Sequence, residues 1–390
     1  RASDEVVDCG GAVVMPGLVN GHAHLYSALA VGMPPPKRAP VDFPQILDRV
    51  WWRLDRALTP ESIEMSALIG ALDALHCGTT TLIDHHASPE CIAGSLDLLE
   101  RGIDAVGLRG VLCYEVTDRN GQAGTEAGLE ENRRYLEKSQ NAEKSRIQNA
   151  GTPERSEATF SRDPQGSALG RDGTAAGEDA THAAGRFAGM VGAHAAFTLS
   201  DESLRACVQL AAEFKTGVHI HVAEDPCDDH LCRQRYGAPL IARLRKSGLL
   251  SVGSSVAARS ILAHGTQLAR ADARRVSLRV AAMAHNPRSN MNNAVGYAPV
   301  AHMRNVLLGT DGIGNDMFTE ARCAWFKVRD AAAGARTSGQ RGPGMDLSPE
   351  SVAPASRRWN RAGIGPVEVV AMLAHGARVA GSFLGGPLGR

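Results

Sequence analysis

Short apolar runs alternate with longer amphipathic stretches along this chain. The apolar runs predict eight strands, at residues 13–19, 79–83, 105–113, 188–193, 218–222, 260–263, 279–284 and 306–310. Between them, helical spacing of apolar residues follows Pro60, and a capped start at Ser200 opens a second such pattern. Strands that alternate with helices are typical of βα units with a parallel sheet. The sequence therefore predicts an α/β fold, a (β/α)8 barrel of the TIM type, over residues 15–380.

Two stretches depart from this alternation. Residues 139–186 contain few large apolar side chains among Gly, Ser, Ala, Arg and Asp, and residues 331–366 are similarly rich in Gly, Ser, Pro and Arg. Such a composition cannot bury enough apolar surface to form core. We therefore expect residues 139–186 to be a disordered insertion between the third and fourth strands of the barrel.

Charge and cysteine content narrow the class of partner. The 42 Lys and Arg residues balance the 42 Asp and Glu residues, so nothing indicates a nucleic acid or an anionic membrane as partner. No apolar stretch approaches the roughly 18 residues that span a bilayer. The eight cysteines form no CxxC pair, which favours reduced thiols in a cytoplasmic protein. A small-molecule substrate is the expected partner, and the oligomeric state stays open, a homo-oligomer included.

Histidines and an aspartate stand where the predicted strands end. His22 and His24 follow the first apolar run, and side chains two apart on a strand share a face. His221, His264 and Asp311 end three later runs. Each residue alone is compatible with a core histidine or a helix cap. Together, at separate strand ends of a barrel, they predict an active site at its C-terminal face.

The motifs around these residues resemble a known family. The segment 15–24, MPGLVNGHAH, is similar to the opening of the cytosine deaminase and triazine hydrolase branch of the amidohydrolase superfamily, and 221–224, 263–264 and 309–311 resemble its later motifs in the same order. The segments 51–55, 84–89, 285–296 and 311–314 resemble the SsnA-type aminohydrolases more closely. This resemblance implies a barrel enzyme that hydrolyses a carbon–nitrogen bond of a small molecule.

The resemblance also assigns roles to residues. It implies one divalent metal ion, Zn²⁺ with Fe²⁺ as the alternative, held by His22, His24, His221 and Asp311. The metal would make hydroxide available from water near neutral pH. Asp311 would also accept the water proton, Glu224 would deliver a proton to the substrate, and His264 would hydrogen-bond the attacking oxygen. Binuclear relatives carry a lysine on strand four, whereas 188–197 holds His194 and no lysine, which favours a single metal.

Substrate contacts are predicted for four further residues, with less support from the pattern. His194 stands where the family places a substrate-facing histidine. His85 and His86 follow the second predicted strand, and Asn290 belongs to the loop after the seventh. Solvated loop histidines and a local turn role for Asn290 are the structural alternatives.

Two further expectations concern the family's accessory β-sandwich and the leaving group of the reaction. We expect residues 1–14 and 381–390 to be only remnants of that sandwich, in a chain that is either a fragment or a protein trimmed of that domain. A deaminase acting on an aminated heterocycle or a similar small molecule is the leading hypothesis for function. A hydrolase of another leaving group, such as chloride or an amide, and a metal-binding but inactive scaffold are the alternatives.

Overall fold

The computed structural model describes residues 7–150, 185–337 and 366–385. Its centre is one parallel sheet. The strands are β1 Leu18–Ala23, β2 Thr79–His86, β3 Arg109–Val116, β4 Phe187–Gly189, β5 Val191–Ala195, β6 Val218–Val222, β7 Ile261–His264, β8 Ala282–His285 and β9 Val306–Leu308. They pair in the order β1-β2-β3-β5-β6-β7-β8-β9, and β4 pairs with β3 just before β5 begins. Since β4 and β5 share the fourth position, the sheet has the eight positions of the predicted barrel.

The barrel closes between its first and last strands. A parallel bridge joins Ala23 to Asp311. The backbone N–H groups of Thr310 and Asp311 both donate to the His22 carbonyl at 2.9 Å. The seam therefore runs through residues that the sequence placed in the active site, and the (β/α)8 prediction is confirmed.

Helices follow the strands around the barrel. Their bounds are α1 Phe43–Ile46, α2 Trp52–Asp55, α3 Pro60–His76, α4 Ser95–Ala105, α5 Gly121–Ala150, α6 Asp201–Glu213, α7 Pro226–Tyr236, α8 Leu240–Lys246, α9 Arg270–Ser277, α10 Pro287–Asn292, α11 Met317–Thr337 and α12 Pro366–Phe383. Among the helices of the described ranges, none combines the length and the apolar character needed to cross a membrane.

Alternation along β2 separates the two layers of the core. Leu82 belongs to an apolar cluster with residues of α3 and α4. Ile83 instead belongs to a second cluster with Val111 of β3 and Ile261 of β7. Because side chains two apart share a face of a strand, His85 belongs to the same face as Ile83.

The predicted start of the first strand is wrong by five residues. Val13, Val14 and Met15 are 92%, 75% and 51% exposed, and the strand begins only at Leu18. Pro16 has no backbone N–H to donate to a neighbouring strand, and Leu18 is the residue that donates to the Gly78 carbonyl, at 2.9 Å. His22 consequently lies inside β1 rather than after it.

The second and third strands also differ from their predicted bounds. β2 extends to His86, so His85 and His86 are buried strand residues instead of loop residues. The third strand was predicted at 105–113, but α4 runs to Ala105 and Gly107 turns the chain with φ +83°. β3 therefore begins at Arg109 and reaches Val116.

The start of the predicted insertion is helical. α5 continues through residues 139–150, where Gln140 donates to the Phe214 carbonyl at 2.8 Å and Arg146 pairs with Glu143. Glu, Lys, Gln, Arg and Ala have high helix propensity, so this polar stretch can extend the helix without supplying core. Residues 151–184 and 338–365 lie outside the described residues.

The predicted sandwich remnants fall on the two ends of the chain. Residues 7–17 contain no strand among the described residues, and 1–6 and 386–390 lie outside them. At the other end, residues 381–383 continue α12, which packs against β1 and β9. The expected sandwich remnants at the two ends stay a prediction.

Candidate active site

Four side chains from three strands converge at the barrel mouth. His22 lies on β1, His24 directly follows it, His221 is on β6, and Asp311 comes after β9. One ring nitrogen or carboxylate oxygen from each lies within 4.8 Å of the others, and all four residues are buried. The structure thus brings together the four residues that the sequence predicts as metal ligands.

The spacing of these atoms fits a metal ion. His24 Nε2 lies 3.2 Å from His221 Nε2 and 3.1 Å from Asp311 Oδ1, and His22 Nε2 lies 3.7 Å from the same oxygen. Ligands about 2.0–2.1 Å from a tetrahedral Zn²⁺ stand roughly 3.3 Å apart. Moreover, His22 Nε2 is buried without a hydrogen-bond partner. The donor set and its unpaired nitrogen both fit a divalent cation.

The Nδ1 atom of each imidazole, on the other edge of the ring from Nε2, contacts a neighbouring group. His22 Nδ1 contacts His219 Nε2 at 2.9 Å, His24 Nδ1 donates to the His85 carbonyl at 2.5 Å, and His221 Nδ1 donates to the His194 carbonyl at 2.8 Å. With Nδ1 as the donor, Nε2 of His24 and of His221 is the nitrogen that can bind a cation. Such bonds fix ring orientation and tautomer in metal sites.

Burial and charge set the ionisation of this cluster. Burial lowers the pKa of His22 to about 3 and lowers that of His221 well below its usual value, so both rings are neutral. Burial also acts against charge on His24, but the hydrogen bond and negative charge of Asp311 outweigh it and raise the His24 pKa to about 9. For Asp311, burial is outweighed by its close contacts with His22 and His24, and its pKa lies well below the usual range. Cation binding would displace the His24 proton, because an imidazole ligand must be deprotonated.

Glu224 and His264 lie beside Asp311 and form a second group. Glu224 Oε2 lies 3.4 Å from His264 Nε2, a buried nitrogen without a hydrogen-bond partner, while His264 Nδ1 contacts Asn290 Oδ1 at 2.9 Å. Asn293 Nδ2 donates to Glu224 Oε1 at 3.4 Å. Burial, and then the charge of Asp311, raise the pKa of Glu224 well above its usual value. A carboxyl group that keeps its proton can serve as a proton donor.

The backbone around these groups is unusual. Asp311 has φ +58°, His264 has φ +71°, and Ala223, just before Glu224, has φ +51°. Residues other than glycine rarely adopt such angles, and they cluster at functional sites where the surrounding structure imposes them. Each angle occurs where a strand gives way to the loop that carries a predicted catalytic group.

A cavity of about 430 Å³ opens over this cluster. One side carries His24, His221, Asp311 and Glu224. The other side carries aromatic and acidic residues from the segment after β1, which includes α1 and α2, and from β3 and β5. These are Tyr26, Phe43, Trp51, Trp52, Asp55, Glu115 and His194.

The predicted substrate-binding residues separate into two groups. His194 lines the cavity, and burial lowers its pKa to about 4, so the ring is neutral. His85, His86 and Asn290 are buried and do not line this cavity. His85 Nε2 donates to the carbonyls of Ala193 and His219, both at 3.2 Å, and His86 contacts Ser88 Oγ at 2.9 Å. Substrate contact by these three residues stays a prediction.

The sequence reasoning missed several cavity and support residues. Ser289 on α10 donates a short hydrogen bond to Asp311 Oδ2. Glu115 lines the cavity from β3. Arg119 forms an ion pair with Asp55 and lies over the ring of Trp52. Glu115 could have been noticed, because a carboxylate inside the apolar run of β3 interrupts the strand pattern. Nothing in the local sequence marks Ser289, which reaches Asp311 only through the fold.

The sequence of this chain is similar to those of known proteins. The model of the amidohydrolase family matches residues 13–353. A 5-methylthioadenosine/S-adenosylhomocysteine deaminase of Desulforudis audaxviator is 29% identical over 317 residues, which cover 80% of this chain and 59% of the relative. A 5'-deoxyadenosine deaminase of Methanosarcina mazei is 28% identical over 332 residues, covering 83% and 64%. This chain thus spans about 60% of the length of these relatives.

The fold also matches solved structures. An atrazine chlorohydrolase from Arthrobacter aurescens TC1, crystallised with zinc, superimposes with a TM-score of 0.62 and 19% identity, covering 96% of this chain and 71% of the other. The similarity extends over the barrel and confirms its architecture. Because the family model covers most of the chain and the strand-end motifs meet in one site, the chain belongs to the amidohydrolase family.

Proposed function

We propose that this protein is a metal-dependent aminohydrolase that removes an amino group from an aminated heterocycle or a similar small molecule. The observation that carries the proposal is the convergence of His22, His24, His221 and Asp311 next to the buried carboxyl group of Glu224. The names of the deaminases that match at 28–29% identity support the same reaction class.

One divalent metal ion fits the donor set. Three neutral imidazoles and one carboxylate favour Zn²⁺, with Fe²⁺ as the alternative, and leave room for water and substrate. When bound, the ion lowers the pKa of water toward neutrality and polarises the substrate. No lysine lies on β4 or β5 to bridge a second ion, which favours one metal per chain.

The side chains then divide the proton transfers between them. Asp311 presents Oδ1 to the metal-binding nitrogens and has Oδ2 held by Ser289, so it can accept the proton of the attacking water. Glu224, kept protonated by burial, donates a proton to the ring nitrogen or the departing amine. His264 lies between Glu224 and Asn290, where its unpaired Nε2 can hydrogen-bond the attacking oxygen. The products are a carbonyl compound and ammonia.

Ammonia release tests this proposal. The zinc-loaded protein is assayed on aminated purines, pyrimidines and triazines, beside Glu224→Gln and the exposed control Glu202→Gln. We expect the wild type and the control to release ammonia. We expect Glu224→Gln to retain zinc but to react about 10²–10⁴-fold more slowly, because it cannot donate the proton. Release of chloride from a chlorinated triazine without ammonia from any aminated compound would contradict the deaminase assignment.

A further inference from the structure

Besides Asp311 and Glu224, two carboxylates line the cavity, and their surroundings differ. Asp55 on α2 is paired with Arg119, whose Nη2 makes a short contact and whose Nη1 lies 3.4 Å away. Arg119 also lies over the Trp52 ring, with its central carbon 5.1 Å from the ring centroid. The charge of Asp55 is therefore neutralised within the protein.

Glu115 has no such partner. Its side chain is 5% exposed, and Oε2 lies 3.5 Å from His85 Nδ1. No Lys or Arg forms an ion pair with it in the described ranges. Burial acts against charge on Glu115, but its interactions with His194, His85 and Arg119 outweigh burial and hold its pKa well below the usual value. A ligand that supplies hydrogen-bond donors would therefore meet an ionised carboxylate that no arginine or lysine already pairs.

The position of Glu115 places this carboxylate close to the reaction centre. Glu115 lies opposite Gly192 in the β3–β5 register and lines the cavity. One of its oxygens lies within 4.8 Å of a ring nitrogen of His221. A group bound to Glu115 would therefore belong to the same small fragment as the carbon under attack.

The rest of the wall favours a flat fragment. Trp51, Trp52, Tyr26 and Phe43 line the same cavity, and Trp51 stands 6.2 Å from His24 between ring centroids. Aromatic faces bind planar, delocalised groups, and cationic ones in particular.

We propose that Glu115 is a specificity-determining residue that selects substrates carrying a planar amidinium or guanidinium group, such as a protonated 2-amino-substituted nitrogen heterocycle. Its two oxygens accept two adjacent N–H groups, the charge-assisted pairing that suits a carboxylate and a planar cation. This inference rests on the proposed aminohydrolase function and names the class of substrate for it. A compound without the paired donors leaves Glu115 with only its contact to His85, and polar sites reject near-isosteres through such a loss of hydrogen-bond partners.

Binding of a matched pair of probes tests this inference without turnover. Benzamidinium and benzamide have nearly the same shape, but only the first carries a charged pair of N–H donors. Calorimetry compares them on the zinc-loaded wild type, Glu115→Gln, Glu115→Asp and the exposed control Glu213→Gln. We expect the wild type and Glu213→Gln to bind benzamidinium at least about tenfold more tightly than benzamide. We expect Glu115→Gln to lose this preference and Glu115→Asp to keep part of it.

Other outcomes overturn the inference. Equal affinity of the wild type for both probes, no binding of either probe at millimolar concentration, or an unchanged preference in Glu115→Gln would each show that Glu115 does not select the cation. Zinc content and thermal unfolding of each variant are measured in parallel, so loss of the fold cannot imitate loss of selectivity. Ammonia release from uncharged heterocycles with no benzamidinium preference would leave the proposed function standing. Absence of zinc and of ammonia release would instead count against that function.

Discussion

The two sides of the cavity are built in different ways. On the metal-ligand side, His24, His221 and Asp311 come at or just after strand ends, and the barrel brings them together. On the opposite side, the aromatic wall comes from short helices after β1, and Glu115 and Arg119 come from β3 and the segment after it. The first side depends on strand register and the second on loop packing. We therefore expect substitutions on the first side to change chemistry and those on the second to change substrate binding.

The largest effect is expected from His221→Ala. This change removes one imidazole from the predicted donor set, and the remaining groups cannot hold the ion in the same geometry. We expect zinc content to fall to near zero and the rate of ammonia release to fall by about 10³-fold or more. Elemental analysis and a coupled ammonia assay measure the two quantities. Normal zinc content and rate in this variant would remove His221 from the site.

A smaller effect is expected from Ser289→Ala. The hydroxyl of Ser289 orients Asp311 through its Oδ2, so its loss leaves the carboxylate less constrained. Comparable losses of supporting hydrogen bonds weaken metal binding by about 10–100-fold. Competition with a chelator measures the zinc affinity, and Ser382→Ala on α12 serves as the control. An unchanged affinity, with reduced activity alone, would assign Ser289 to proton transfer instead of positioning.

The smallest effect is expected from Trp52→Leu on the opposite side. The change removes an aromatic face from the cavity and from the Arg119 contact, but it leaves the metal-ligand side untouched. We expect KM to rise about 3–30-fold with kcat nearly unchanged and zinc retained. Trp325→Leu on α11 is the matched control. A loss of zinc in Trp52→Leu would show that the two sides of the cavity are not separable.

The same division explains what the sequence could predict. His22, His24, His221, His264 and Asp311 could be located because each ends or follows an apolar run, and the order of βα units fixes where such ends meet. The resemblance to a family supplied their roles. Ser289 on α10 escaped, because it reaches Asp311 only through the fold, whereas Glu115 was marked only by a carboxylate inside the apolar run of β3.

The predicted start of the first strand and the predicted end of the second were wrong for a related reason. The apolar residues Val13 and Val14 predict a strand, yet they are exposed, since Pro16 follows them and pairing with β2 begins only at Leu18. His85 and His86 look like loop residues after an apolar run, yet β2 continues through both. In each case, pairing with a neighbouring strand decides where the strand begins and ends. A short stretch of sequence does not show this pairing.

The proposed reaction depends on one metal ion held by His22, His24, His221 and Asp311. The most direct measurement is therefore the number of zinc ions bound per chain. Elemental analysis of the purified wild type is set beside Asp311→Ala and the exposed control Asp330→Ala, with folding verified by circular dichroism. We predict close to one zinc or iron ion per chain in the wild type and the control, and nearly none in Asp311→Ala. A folded wild type without metal, or an Asp311→Ala variant that keeps its full metal content, would contradict the account.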